Sequence, residues 1–235
     1  MRPRGRGFGV KGSAHEVFWP DYNNRELGVL LGMIYGDGNL IKREEASRTG
    51  RWRIEFCEGD LALVKHYSLL TARLLNIQPT IRNRKTWHEA YYSSRIAYEF
   101  LTFAGEHPNG KKTGRLRLPC IARQGPSTML GFLSGLFSVE GSVKIESNVR
   151  IAVEMLESIL IQEIDRELQV MGYEPHVYDY PKDNKRMFGI YVYGVEECAR
   201  FAKEIGLLGN RRRKLSRFLR SRGSAISSPR QPGGG

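Results

Sequence analysis

The sequence is poor in the residues that build disulfide scaffolds, metal cages and membrane spans. Its three cysteines, Cys57, Cys120 and Cys198, are odd in number, far apart and free of any CxxC pair, which excludes a disulfide framework and argues against a zinc site. The five histidines show no metal-ligand spacing, and His88 and His107 read as loop residues rather than catalysts. No run of about 18 apolar residues occurs, so no membrane-spanning helix is expected. The first residues, MRPRGRGFGV, are basic but carry no apolar stretch, so they do not read as a secretory signal. Acid is scarce too: 25 Asp and Glu stand against 37 Lys and Arg, a net charge of +12, and the partner this points to is a polyanion, nucleic acid first.

What the chain has is a globular composition, 40% hydrophobic and 26% charged, over 235 residues, enough to bury a core in one large domain or two small ones. Its ends read as flexible. Residues 1–14 carry Arg2, Arg4, Arg6 and Lys11 and no acid, a basic arm suited to phosphate, and residues 222–235 are rich in Gly, Ser and Pro. Between the ends the chain repeats itself. NNRELGVLLGMIYGDGNL from Asn23 matches GPSTMLGFLSGLFSVEGSV from Gly125, each an apolar helix opened by a capping residue, Asn24 or Ser127. RIEFCEGDLALVKHYSLLTARLLNIQP then parallels RIAVEMLESILIQEIDRELQVMGYEP, a strand, an amphipathic helix and a turn. A hairpin and a short helix follow in each copy. The unit is α-β-β-α-β-β-α, used twice, with a linker near Gly114–Gly125 that shows no helix pattern.

Gly28, Gly32 and Gly36 recur every fourth residue in the first repeated helix, as do Gly131 and Gly135 in the second. Glycine inside a helix costs about 0.5–1 kcal/mol relative to alanine. A face built of it twice implies that two backbones approach closely, and the natural partner of each helix is the other. Each helix ends in an acid followed by glycine, Asp37-Gly38 and Glu140-Gly141. Packed side by side in parallel, the helices bring both carboxylates together at two negative dipole ends, an arrangement a divalent cation relieves. Carboxylate and carbonyl oxygens suit Mg²⁺.

Leu30–Gly38, LLGMIYGDG, and Leu133–Gly141, LSGLFSVEG, resemble the two motifs of the LAGLIDADG homing endonucleases. The likeness covers roughly residues 24–221 and departs from the family where its earlier Asp would stand, at Tyr35 and Ser138. It implies the single-chain form: an α+β fold of two pseudo-twofold related αββαββα subdomains, whose antiparallel sheets make a DNA-binding saddle beneath the paired helices. The expected layout is a basic N-terminal arm over 1–22, subdomains over 23–113 and 126–221, a linker over 114–125 and a flexible tail over 222–235. The implied activity is metal-dependent, site-specific cleavage of double-stranded DNA by a monomer at a long, loosely palindromic target. Alternatives are an intron RNA maturase and a non-cleaving DNA-binding protein of the same fold. An intron-encoded enzyme of this kind would be intracellular, wherever its target DNA lies, in a prokaryotic cytoplasm or an organelle.

The same resemblance makes Asp37 and Glu140 the ligands of Mg²⁺ or Mn²⁺, with the carbonyls of Gly36 and Val139 beside them. It also implies a basic residue near the site after the last helix of each half, for which Lys111 and Lys112, and Arg213 and Lys214 next to Arg212, are the candidates. Residues 210–222 hold seven Arg or Lys and no acid, as a helix lying along DNA backbone would. The strands should read DNA. Candidates in the first half are Lys42, Arg43, Arg48, Arg51 and Arg53, then Arg82, Arg84, Lys85 and Arg95 of the following hairpin; in the second half they are Lys144, Arg150, Lys182, Lys185 and Arg186. Alternation along a strand pairs Arg51 with Arg53 and Arg82 with Arg84 on one face. Trp52, Trp87 and Tyr91 read as packing residues.

Overall fold

Two helices form the centre of the molecule. In the computed structural model, which describes residues 4–6, 16–18, 20–43, 52–103, 105–108 and 114–226, α1 (Arg25–Asp37) and α5 (Pro126–Val139) run parallel and in contact along their length. Nearly every residue of both is buried, because each is packed all round. The glycines make the approach possible. A Cβ on Gly28 would lie 2.0 Å from the Thr128 carbonyl oxygen, and one on Gly32 would lie 2.2 Å from that of Phe132. Gly131 and Gly135 stand in the same relation to the carbonyls of Arg25 and Val29, at 2.0 and 2.3 Å. Backbone therefore meets backbone from both sides.

The helix starts cap each other. Asn24 caps α1 through its own side chain, which accepts from the amides of Glu26 and Leu27 at 2.8 and 3.2 Å. The expectation that Ser127 caps α5 fails. Gly125 holds the cap position, Pro126 starts the helix, and the Ser127 amide donates to Asn23 Oδ1 of the other half at 3.3 Å. Thr128 Oγ1 returns the tie, accepting from the Asn24 amide at 2.9 Å. The helix ends need glycine for a different reason. Strands β3 (Gly38–Lys42) and β7 (Gly141–Ile145) leave directly, and a Cβ on Gly38 or Gly141 would press on the carbonyl oxygen of Ile34 or Phe137 at 2.5 or 2.1 Å.

Each half then repeats the expected order. The first continues through β4 (Trp52–Glu58), α2 (Leu61–Leu75), β5 (Thr80–Asn83), β6 (His88–Ser93) and α3 (Arg95–Phe103). The second continues through β8 (Val149–Met155), α6 (Ser158–Val170), β9 (His176–Lys182), β10 (Lys185–Tyr193) and α7 (Val195–Glu204). Two antiparallel four-stranded sheets result, with the matching orders β3-β4-β6-β5 and β7-β8-β10-β9. Helices cover one face of each sheet. Ile54, Phe56, Ala90 and Tyr92 face inward in the first, and Ile151, Val153, Ile190 and Val192 in the second, leaving the other face of each sheet open. Asp183 and Asn184, both at positive φ, make the tight turn between β9 and β10.

Three regions differ from expectation. Arg4–Arg6 is not loose but forms β1, paired with β2 (Glu16–Phe18). The linker contains a helical turn, α4 (Cys120–Arg123), and is docked: the amides of Gly114 and Leu116 donate to the buried Glu157 carboxylate at 2.6 and 3.1 Å, and that of Leu118 to Glu163 at 2.6 Å. The final helix α8 (Gly209–Ile226) runs into the segment expected to be a tail. Its start crosses to the first half, where Asp60 caps two helices at once. Oδ1 accepts from Ala62 of α2 at 3.0 Å, and Oδ2 from Asn210 of α8 at 2.8 Å.

Gly32→Ala should force α1 and α5 apart and cost about 1–3 kcal/mol or more in guanidinium unfolding. Gly59→Ala, where the added carbon meets only the Thr86 carbonyl oxygen at 3.8 Å, should stay within about 0.5 kcal/mol.

Candidate functional site

The parallel packing brings the acid ends together. Asp37 is the last residue of α1 and Glu140 the cap of α5, and both are half-buried. Glu140 lies on Gly36, where an added Cβ would be 3.0 Å from Glu140 Cγ and 2.2 Å from Val139 Cγ2. Gly36 thus lets the second acid sit against the helix turn that carries the first. Asp37 faces the first sheet: burial pushes the Cys57 thiol on β4 up to about 11, with Glu55, Glu89 and Asp37 adding to the rise. A cleft of about 400 Å³ opens beside Glu140, lined also by Gly36, Glu154, Lys182 and Lys185.

Neither helix carries a basic residue in its last turn. The compensating cation comes from α8. Arg211 donates from Nη2 to the Val139 carbonyl at 2.6 Å and from Nε to that of Gly141, bracketing Glu140, and its Nη1 lies 3.7 Å from Glu58 of the first half. Arg211 escaped the sequence reading, although it heads the RRRK run that follows the second half. Arg213 of that run is turned to Asn210 and Asp60, and Lys214 lines a cleft with Ile145, Arg217 and Phe218. Lys111 and Lys112 lie outside the described residues. The Val139 carbonyl, a candidate ligand, is therefore already engaged by Arg211. Among the described residues no group of three or more His, Cys, Asp or Glu side chains forms a complete metal site. The donors present are two hard carboxylates at two helix ends. They fit an oxygen-seeking divalent cation whose shell is completed from outside the protein.

Tyr35 and Ser138, where the earlier acid of each motif would stand, do matching structural work. The Tyr35 hydroxyl donates to the Gly105 carbonyl at 2.5 Å, and Ser138 Oγ accepts from the Leu208 amide at 2.8 Å. Each ties its helix to the segment that leaves the last helix of its own half.

The open faces carry fewer free cations than the sequence implied. Arg48 and Arg51 lie outside the described residues. Arg53 is buried, held by Glu89 and by Glu55 at 2.7 Å, with Asn39 on Glu55 and the guanidinium over the Tyr91 ring at 4.1 Å. It is an internal counter-ion rather than a free reader, because carboxylates on its own strand and on β6 share its face. Arg82 stays exposed on the other side of Tyr91 at 4.3 Å, while Arg84 lies over Trp87 and Lys85 is exposed in the same turn. Lys42 and Arg95 both lie over Trp52, on the side of the sheet that carries Ile54; Arg95 belongs to α3, where it pairs with Glu99. Arg43 is exposed. In the second half Lys144 approaches Glu154 at 4.0 Å, Arg150 lies 3.8 Å from Glu146, and Lys182 and Lys185 face each other at the hairpin tip. Arg186 points to the opposite face, paired with Asp179, as strand alternation after Lys185 requires.

A family described as LAGLIDADG-like domain matches residues 127–206, the second repeat. The same fold recurs in the homing endonuclease I-DmoI, at a TM-score of 0.59 and 20% identity over 79% of this chain and 97% of that one. The second repeat is a LAGLIDADG-like domain, and the chain as a whole has the fold of I-DmoI. I-DmoI in complex with DNA and Mn matches equally well, at 0.59 and 19% identity, over 79% of this chain and 98% of that one. I-SmaMI bound to uncleaved DNA in the presence of calcium matches at 0.52 and 11% identity, over 85% and 92%. Full-length DUF199/WhiA from Thermatoga maritima matches at 0.55 and 14%, over 86% and 61%. No curated protein sequence matches the chain.

Arg211→Met should lower unfolding stability by about 1.5–3 kcal/mol, since it strips charge-assisted bonds from two carbonyls at a helix end. Arg212→Met makes the same change in net charge at an exposed neighbour and should stay within about 0.5 kcal/mol.

Proposed function

We propose that the protein is a site-specific double-strand DNA endonuclease that hydrolyses phosphodiester bonds with Mg²⁺ or Mn²⁺ at a long, loosely palindromic target. The observation that carries this reading is that Glu140, at the end of α5, packs on Gly36, the residue before Asp37 at the end of the parallel α1. The I-DmoI complex with DNA and Mn and the I-SmaMI complex with DNA and calcium support it by fold. Two halves in one chain supply the two-fold relation that other proteins obtain by dimerising, so the protein acts as a monomer. Each half covers on the order of one turn of DNA, about 10 bp.

In this mechanism Asp37 and Glu140 would hold the cation, with the Gly36 carbonyl beside them. A divalent ion bound there would lower the pKa of bound water and stabilise the leaving oxygen. The protein's share is placement. The open faces fix the duplex so that one phosphate of each strand lies at the acids. Lys182 and Lys185, on the rim of the cleft beside Glu140, grip phosphate, and the exposed basic side chains of α8 add to the backbone contacts. Arg211 keeps the helix end and its acid in place. A site with two protein carboxylates needs phosphate and water oxygens to complete its shell. Calorimetric titration with Ca²⁺ should therefore show weak binding to the protein alone and clearly tighter binding once duplex is present.

Asp37→Asn and Glu140→Gln keep shape but remove the charge that holds the cation. Each should cut at least one strand slower by several orders of magnitude, read on end-labelled duplex joining the sequences that flank the gene, in Mg²⁺. Thermal melting should show each variant folded, so that the loss of cleavage is read as loss of chemistry. Wild-type cleavage of both strands by either folded variant would remove that acid from the reaction.

A further inference from the structure

The open face of the second sheet is floored with aromatic rings. Alternation along β9 and β10 places His176, Tyr178 and Tyr180 on one strand and Tyr191 and Tyr193 on the next, all facing away from the helices. The Tyr178 and Tyr191 rings meet at a near-right angle with centroids 5.2 Å apart, His176 meets Tyr193 at 5.3 Å, and Tyr191 lies nearly parallel to Tyr193 at 5.9 Å. Gly189 is the reason Tyr191 can lie flat, since a Cβ there would be 2.6 Å from its ring.

The hydroxyls are tied down as well. Tyr191 donates to Glu154 at 2.8 Å, Tyr180 bonds to the same carboxylate, and Tyr193 bonds to Tyr178 and Arg150. Burial raises the pKa of Tyr180, Tyr191 and Tyr193, so these hydroxyls stay protonated at neutral pH. The first sheet has nothing comparable on its open face, where Arg53, Glu55, Glu89 and Arg82 surround one tyrosine, Tyr91.

A rigid floor of neutral rings whose hydroxyls are already bonded offers phosphate no charge and few donors. It can meet base edges. Apolar contact in the major groove goes to the thymine methyl, and a hydroxyl can bond to the donor and acceptor atoms beside it. Stacking on unpaired bases is disfavoured, because the rings are packed against each other and Tyr191 is only 8% exposed, while Tyr178, at 47%, stands out toward a partner. We propose that this floor, with Tyr178 as its exposed contact, reads thymine methyl groups in the half-site bound by the second sheet, so that the two halves of the target are told apart by different chemistry. The proposal rests on the DNA-binding reading above and assigns specificity within it.

The test begins with a duplex pool carrying a random central segment, bound to wild-type protein in Ca²⁺ and enriched through several rounds. The selected site should hold thymines in one half. Uracil in place of thymine there should weaken binding about three- to fivefold for each methyl contacted, and in the other half should change little. Tyr178→Ala should abolish the uracil effect and leave the salt dependence as it was. Tyr178→Phe, which keeps the ring, should retain the uracil effect. Lys182→Ala should instead weaken all sequences alike and reduce the salt slope by about one. Wild-type binding indifferent to uracil, a Tyr178→Ala variant still sensitive to it, or a selected site without thymine in either half would overturn the assignment while leaving sequence-specific DNA binding intact. Stronger enrichment from a single-stranded RNA pool, lost in Tyr178→Ala, would replace it with base stacking. Failure of wild type to enrich any duplex would remove the DNA-binding reading itself.

Discussion

The rest of the molecule depends on backbone-to-backbone contact between α1 and α5. Five glycines on facing sides remove the atoms that would hold the helices apart, at the conformational cost glycine carries in any helix. What offsets that cost is a dry contact spanning the whole length of both helices and a set of cross-caps at their starts. Helices in register at the start are in register at the end. The two acids are therefore carried to neighbouring helix ends without any loop having to place them.

The pseudo-twofold relation is kept in the backbone and relaxed in the side chains. Tyr35 donates to one carbonyl, whereas Ser138 accepts from one amide, and both secure the exit from their own half. Asp60 and Glu157 each stand between the second strand of a half and its next helix, and each accepts from amides of chain leaving the other half. Only Asp60 also caps its own helix. Arg25, at the start of α1, donates to the carbonyls of Glu204 and Ile205 of the second half, at 2.9 and 2.6 Å. The halves are thus stitched at several points by groups that differ on the two sides, which leaves their open faces free to diverge.

Much of this was legible in the sequence because it is local or repeated. The glycine period announced the helix contact, the acid-glycine pairs marked the ends of those helices, and the strand-helix order recurred in both halves. What escaped depends on neighbours that are distant in the chain. Nothing around Arg53 says that Glu89, on another strand, will bury it. Nothing around Ser127 says that Asn23 will cap its helix. Arg211 could be ranked above Arg213 and Lys214 only once the start of α8 was fixed, since a shift of one residue turns a side chain by about 100° around the axis. Arg186 is a different case: its outward turn follows from alternation as soon as the strand is recognised.

The net charge of +12 is not concentrated on the open sheet faces. Glu55 and Glu89 neutralise Arg53 on one open face, and Glu154 sits among tyrosines on the other with Lys144 beside it. Exposed cations do stand at hairpin tips and along α8, among them Arg82, Lys85, Lys182, Lys185, Arg213 and Arg217. Phosphate attraction is long-ranged and indifferent to sequence, so a floor crowded with arginine would hold every duplex nearly alike. Under the proposed DNA binding, cations at the edges and floors close to neutral would separate holding DNA from choosing among sequences. A cation at the edge can slide along the backbone, whereas a tied tyrosine or a paired carboxylate meets one base pattern or leaves a polar group unsatisfied. Under that proposal the acids on the open faces, which weaken attraction for DNA in general, are what a selective binder of this charge requires.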